Sequence, residues 1–544
     1  MIKKFLSLLL ACVLTILTLC SCGDDDISLV MAINSDPECL DPQIAETQTA
    51  KTIINNCYEG LVRLNNKGEP VSGVAKSWTV SENGLVYTFT LREDTHWQLL
   101  KAYKDVLDDE NYMENFKTEV TAHDFEFALK RAVDKITDSP DADKLFCIKN
   151  AQKIHNGETD KSALGVKAID DHTLEITLER ANPDFLRVLT LPLCMPCNEE
   201  FFNATKAKYG LELKYTFCNG PFYLGRWSTD HSIVMYKNEG YKGLVEVKPT
   251  SVYLNVNTDE SSVITKLNQN DYNCAYLSDS AIFNLPSDTK IRTEAIENSV
   301  SGFVFNCEDQ SLSNENLRKA LVMLTKTESI SKPSQAVGAA SGIVPTTCRF
   351  GNSNYRTAAG SVAKLRYDED AALELWKTGL KEIGKDSAEI KIICTDEYAA
   401  QMQNAIQDWQ RVLATRIVAK VEVVNKETLD TRIKEDNFQI AVTEIKAESS
   451  SPTDMLKIFT TGNKNNIFNH SNTSYDELLL KIINQASGDE IIKSIKTAEQ
   501  YLINTAVFLP LFNHSDYIAL SSEATGIYSL PSFEGINFIN GGLS

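Results

Sequence analysis

Apolar positions along this chain switch repeatedly between period two and period 3.6, so strands and helices are interleaved from one end to the other. Residues 27–34 alternate and carry Val, Met and Ile, which predicts a first strand, and 49–58 bear a helical stripe. Residues 85–91 (LVYTFTL) and 173–178 read as half-buried strands, the second preceded by an Asp170-Asp171-His172 turn. Between them, 123–136 reads as a helix with Phe125, Leu129, Ala132 and Val133 inward, and 222–237 reads as a hairpin around Asp230. In the second half, Ala371, Ala372, Leu375, Trp376, Gly379, Leu380 and Ile383 follow helical spacing over 368–383, and Gly384 ends the helix. Strand 390–394, helix 398–413, strand 418–424, helix 429–435 and strand 438–442 follow, an alternation that predicts an α/β lobe. There is no internal repeat and no low-complexity segment.

The first residues break this pattern. Lys3 and Lys4 precede an uncharged, mostly apolar run over 5–19 that is shorter than a membrane-spanning helix requires, so residues 1–21 read as an export signal. Leu19-Cys20-Ser21-Cys22 resembles the lipobox of bacterial lipoproteins, which implies that Cys22 is acylated and becomes the new N-terminus. Residues 22–27, with Gly23 and three aspartates, would be an acidic tether between lipid and protein.

The chain of 544 residues is long enough for two or three domains with their own cores. Its formal charge of −20 makes a nucleic-acid surface an unfavourable reading. Ten cysteines lie scattered from Cys39 to Cys394, too far apart to read as a disulfide framework. Cys194 and Cys197 have the spacing of a redox or zinc pair, but no second such pair follows, and they close an apolar run that reads as a connection between domains. Residues 379–385 match a phosphate-binding loop in spacing alone: Asp386 stands where a hydroxyl belongs, and the match begins inside a helix. No nucleophile elbow, paired metal histidines or calcium loop occurs, so neither catalysis, a metal nor a cofactor is expected.

Several segments, in order, resemble the extracellular solute-binding proteins of oligopeptide and dipeptide ABC importers. They are 35–42 (SDPECLDP), 58–64 (YEGLVRL), 73–78 (GVAKSW), 87–92 (YTFTLR) ending on Trp97, 120–125 (VTAHDF) and 165–170 (GVKAID). Residues 219–222 (NGPF) with Trp227, then Phe305-Asn306 and 316–321 (NLRKAL), continue the likeness over nearly the whole mature chain. The resemblance implies a two-lobed α/β Venus-flytrap with an extra subdomain in the first lobe. Residues 28–66, 193–301 and 508–544 would form the first-lobe core, 67–192 the extra subdomain and 302–507 the second lobe, with a hinge near 301–305 and 507–511. It also implies a non-enzymatic, lipid-anchored receptor outside the cytoplasm, taking peptides between its lobes and passing them to the membrane permease.

Site residues follow from the same resemblance. Ala447-Glu448, followed by Pro452, matches a segment whose acid pairs with a peptide's α-ammonium, with Glu for Asp and Ser449 for Tyr. Thr443 and Ile445 lie on the adjoining strand, and Ile445 replaces a family Trp. Arg432 could face a ligand carboxylate, although a lone helix arginine is more often solvated; for Glu448 the ligand role is favoured over that of a solvated loop acid. Thr47, Gln48 and Thr49 would offer backbone contacts across the cleft, and Asp141 stands where many members place a pocket Tyr. The acidic, aromatic insertion over 98–119 is expected on the lobe surface. A non-peptide ligand, such as a nickel chelate or an oligosaccharide, and a surface enzyme or adhesin on the same scaffold remain alternatives.

Overall fold

A single eleven-stranded sheet runs through both lobes of the molecule and carries most of its architecture. The computed structural model describes residues 26–544 except 183, 331–335, 351–352, 448, 450, 484–488 and 530–534. The export signal, Cys22 and Glu448 therefore lie outside the described residues.

In the first lobe, β1 (Ser28–Ile33) is followed by helix α1 (Gln48–Cys57). Thr47 stays extended and its hydroxyl accepts from Ala50 N at 3.2 Å, which supplies the helix with its N-cap. A separate four-stranded antiparallel sheet contains β2 (Ala75–Val80), β3 (Val86–Leu91), β4 (Val166–Asp170) and β5 (Thr173–Thr177), in the order β2-β3-β5-β4. Helix α2 (Ala122–Val133) starts at a Thr121/Asp124 capping box and buries Phe125, Leu129, Ala132 and Val133 completely, as their spacing predicts. The chain then forms the hairpin β6 (Phe222–Ser228) and β7 (Ser232–Lys237), turning at Asp230 with φ +58, and continues through β8 (Ser251–Val256) and β9 (Cys274–Leu277).

Strand β10 (Arg292–Phe305) leads into the second lobe, where α3 (Glu315–Met323), α4 (Glu369–Glu382), β11 (Ala388–Cys394), α5 (Asp396–Leu413), β12 (Ile417–Val423), α6 (Lys426–Lys434) and β13 (Ile440–Lys446) alternate. Helices α7 (Pro452–Lys457) and α8 (Asp489–Asn504) follow, and β14 (Phe508–Leu520) returns to the first lobe. The main sheet order is β12-β11-β13-β10-β14-β9-β1-β8-β7-β6, and the short strand Gly338–Ala339, paired to β14, is the eleventh. Gly379 sits inside α4 because α3 approaches it so closely that a Cβ would lie 2.7 Å from Leu317 Cδ2. Gly384, with φ +69, takes the left-handed position after the helix. These glycines serve packing and capping, so the apparent phosphate loop is a helix end.

The long strands β10 and β14 carry the chain between lobes. Their antiparallel ladder loses register between Ile296 and Ser299, opposite Asp516 and His514, a bulge that bends both strands. The ladder shifts again between Ser301 and Gly302, opposite Phe512 and Pro510, at the expected crossing over 301–305 and 507–511. Phe303, Phe305, Leu509 and Leu511 beyond it are buried with Trp376 and Trp409 in the second-lobe core, and first-lobe core residues lie on the far side of the break at 296–299 and 513–516.

Motif residues prove to be scaffolding. Asp41 of the SDPECLDP segment accepts from Arg131 Nη2 of α2 at 2.6 Å, while Gln43 accepts from Arg131 Nη1 and donates to the carbonyls of Leu193 and Met195. Glu59 is buried between Arg92 Nη2 (2.7 Å) and the Tyr241 hydroxyl (2.6 Å), and the Asn219 side chain bridges its backbone N–H and C=O. Burial, opposed by Arg92 and Tyr241, still pushes the Glu59 carboxyl up.

The insertion over 98–119 departs from expectation. Its acids are exposed, but Tyr103 and Tyr112 are buried; Tyr103 donates to Thr216 O at 2.6 Å and meets Phe201 and Phe217 edge-on. Alternating charge in the segment masked an aromatic face that completes the first-lobe core. The ten cysteines between Cys39 and Cys394 are all free thiols. Cys194 and Cys197 act separately: Cys194 Sγ donates to Val188 O, and burial, relieved only in part by Arg131, pushes the Cys197 thiol up to about 12.

Candidate functional site

Between the lobes lies a cleft of about 510 Å³ whose walls come from three parts of the chain. The first lobe gives Glu46, Gln48 and Lys51 at the start of α1, and the extra subdomain gives Pro140 and Asp141. The second lobe gives Glu444 to Ala447 on and just past β13, with Lys464 and Asn465. A neighbouring space of about 560 Å³ shares Glu46, Asp141, Lys446 and Lys464 and extends toward Lys144, Asp454 and Lys457. Lysines and carboxylates converge here from both sides, as a ligand with two oppositely charged ends requires.

Local geometry fixes several of these groups. Lys51 Nζ lies 3.5 Å from Asp141 Oδ2, which links α1 to the subdomain across the cleft floor. Ser299 Oγ donates to Glu444 Oε2 at 3.0 Å. The buried His514 ring stands 2.8 Å from Ser301 Oγ, 3.2 Å from the Tyr398 hydroxyl and 3.5 Å from Glu444 Oε1, so the irregular stretch of the β10–β14 ladder and the cleft wall share one polar network. Lys446 Nζ pairs with Asp516 at 2.5 Å, and Asn298 Nδ2 donates to the same carboxylate.

β13 also offers backbone. It pairs along 440–446 with β10, but β11 meets it only at Ile440 and Ala441. Beyond Ala441 the described residues place no strand on that second edge, which runs into the cleft wall.

Of the residues singled out from sequence, Gln48, Asp141, Ile445 and Ala447 line the cleft together. Thr47 is beside it, its hydroxyl occupied as the α1 cap; Thr49 and Thr443 are not among the lining residues, and Thr443 is buried in the sheet. Arg432, considered for a ligand carboxylate, is engaged elsewhere: its Nη1 pairs with Glu422 at 2.8 Å and its Nε donates to Asn437 O. Glu422 belongs to the edge strand β12, two strands away from β13, so Arg432 neutralises a surface acid outside the cleft.

Glu444, Lys446 and Lys51 went unselected in the sequence. Period-two alternation along β13 could have found the first two, since Thr443 and Ile445 point into the sheet's packing and Glu444 and Lys446 to the open side. Among the described residues no cluster of three or more His, Cys, Asp or Glu could hold a metal ion.

A family model described as "Bacterial extracellular solute-binding proteins, family 5 Middle" matches residues 69–466, most of the chain. The chain belongs to this family. Proteins similar to it along nearly their whole length include the "Dipeptide-binding protein DppE" of Bacillus subtilis, 27% identical over 92% of this chain and 90% of the relative. The "Oligopeptide-binding protein OppA" of the same organism is 26% identical over 94% and 92%. Among solved structures, "Listeria monocytogenes OppA bound to peptide" superimposes with a TM-score of 0.72 at 23% identity, covering 96% of this chain and 99% of that one. That likeness establishes the fold of this family-5 protein: mixed α/β in two lobes. The family is one of binding proteins, and its description places it outside the cell. No helix among the described residues is long and apolar enough to cross a membrane.

Proposed function

We propose that this family-5 protein is the lipid-anchored receptor of an ABC importer, capturing oligopeptides or dipeptides between its lobes and delivering them to the membrane permease. The observation that carries this reading is the open edge of β13 beside a cleft lined by both signs of charge. An extended peptide added along that edge would be held through its backbone, leaving side chains loosely specified. Its termini are charged, and Lys51, Lys446 and Lys464 on one hand and Glu46, Asp141 and Glu444 on the other supply partners. The names of the two Bacillus relatives agree with this ligand class.

In this reading Glu448, next to Ala447 of the cleft wall, neutralises the peptide's α-ammonium. Glu448→Gln then strands a desolvated cation, at a cost of ~2–5 kcal/mol, or roughly 30-fold to several thousand-fold in affinity. Calorimetry with free and N-acetylated peptides on wild type and variant tests it: acetylated peptides should bind wild type weakly and lose little on mutation. Equal wild-type affinity for free and acetylated peptides would refute the role of Glu448. Native mass spectrometry of the purified protein, finding a sugar or metal chelate rather than peptides, would refute the ligand class.

The anchor rests on Leu19-Cys20-Ser21-Cys22. Cys22→Ala should move the protein from the membrane fraction to the soluble one, because each buried lipid methylene contributes about 0.8 kcal/mol and several chains together anchor stably. A wild-type protein already found in the soluble fraction would exclude lipidation.

A further inference from the structure

Four side chains, two from each lobe, form a charge cluster across the cleft. Asp143 and Lys144 lie on the turn that leads into Leu145, part of the first-lobe core; Asp454 and Lys457 lie on α7, whose Met455 and Leu456 belong to a second-lobe core. Lys144 Nζ is 2.9 Å from Asp454 Oδ2, Lys457 Nζ is 3.1 Å from Asp454 Oδ1 and 3.6 Å from Asp143 Oδ2. Ser449 Oγ donates to Asp454 Oδ2 at 2.6 Å. The Lys144 and Asp454 side chains are only 12% and 14% exposed, so salt screens them little.

The same four residues line two separate spaces. One is the cavity of about 560 Å³ that continues the cleft; the other is a pocket of about 140 Å³ beyond them, walled by Asn182, Val188, Leu191 and Ile482. The cluster therefore stands as a partition between the two.

We propose that Lys144 and Asp454 form a latch between the lobes that holds the closed form together without ligand and ends the ligand cavity, limiting the length of ligand accepted. The charges suit a reversible contact. Each lobe contributes one acid and one base, so opening leaves two neutral pairs that water can solvate and strands no single buried charge. Closing exchanges that water for alternating contacts in a space of low dielectric, where charge-assisted hydrogen bonds are strong. Burial by itself would favour the neutral acid, yet Lys144, Lys457 and the Ser449 hydroxyl hold the Asp454 carboxyl far below its ordinary range. The length limit rests on the peptide reading above; the latch itself does not.

The test uses the full mature chain, Lys144→Met, Asp454→Asn and Lys144→Arg. Small-angle scattering without ligand should give a larger radius of gyration for Lys144→Met and Asp454→Asn than for wild type, with Lys144→Arg, which keeps the cation, returning toward the compact value. A series of alanine peptides from the dipeptide upward should show a sharp loss of wild-type affinity at one length. Both latch variants should shift the long-to-short affinity ratio toward longer peptides by roughly 10-fold or more. A purely structural contact would lower the melting temperature and leave radius and ratio unchanged, and that result overturns the proposal. If wild type binds no peptide of any length, the peptide reading and the length limit fall together, while scattering alone still decides the latch.

Discussion

Glu499→Ala is expected to lower the melting temperature of the second lobe by about 10 °C. Glu499, on α8, is fully buried and gathers Ile343, Val344, Tyr355 and Arg356 around its carboxylate. Its Oε1 accepts from the backbone N–H of Ile343 at 2.5 Å and Val344 at 3.0 Å and pairs with Arg356; Oε2 accepts from the Tyr355 hydroxyl at 3.0 Å. Truncation leaves a buried guanidinium and two N–H groups without this acceptor, a cost of about 3–5 kcal/mol. For a lobe of some 200 residues each kcal/mol moves the midpoint by roughly 2–4 °C. Scanning calorimetry should show the second-lobe transition separating below the first. An endotherm superimposable on wild type would mean that the network is unimportant to stability. Glu499→Gln, which keeps the shape and one good acceptor, should fall between.

Arg131→Met should produce the mirror image, lowering the first-lobe transition by a similar amount. Arg131 holds Asp41 through both terminal guanidinium nitrogens, is buried, and lies 3.9 Å above the Phe202 ring. Burial would depress its pKa, but Asp41 and neighbouring groups raise it, so it stays charged throughout the accessible pH range. Without it Asp41 is a buried anion, again at about 3–5 kcal/mol. Adding Asp41→Leu to Arg131→Met should recover part of the loss, since an apolar pair strands no charge; a double variant no better than the single one contradicts this account. In both cases ligand affinity measured well below the transition should change little, as neither residue lines the cleft.

These two networks explain what the sequence could and could not disclose. Helices α2, α4 and α5 and strands β3, β5 and β11 were legible because their apolar spacing is regular and their caps are local: Thr121 with Asp124, and Asp368 accepting from Ala371 N. The motifs carrying the family likeness, Asp41, Glu59, Asp124 and Arg318 among them, are buried supports of the lobes. They therefore reveal the fold far better than the ligand. Arg318, for example, donates to the carbonyls of Leu312, Ser313, Thr505 and Ala506 and ties α3 to the end of α8. The cleft was only half legible. Asp141 and Ala447 could be placed by likeness, but Lys51 meets Asp141, and Lys144 meets Asp454, only when segments 90 and 310 residues apart are brought together. No local periodicity encodes that. Arg432 misled because a helical arginine looks the same whether its partner is a ligand or the surface acid Glu422.

The threading of β14 has a consequence for how the molecule is made. β9 pairs with β1 on one side and with β14 on the other, and Asn56 of α1 donates to Ile536 O and accepts from Phe538 N. The first lobe is thus assembled from the earliest and the latest parts of the chain, while the strands β11 to β13 and helices α3 to α8 are contiguous. As the chain is made from its N-terminus, the second lobe's helices and strands emerge together and can collapse as a unit. The first lobe must wait, its sheet edge at β9 open, until β14 has been made. A nascent chain arrested before Phe508 would expose that edge to pairing with other chains, so the last strand of the fold decides when the first lobe is safe from aggregation.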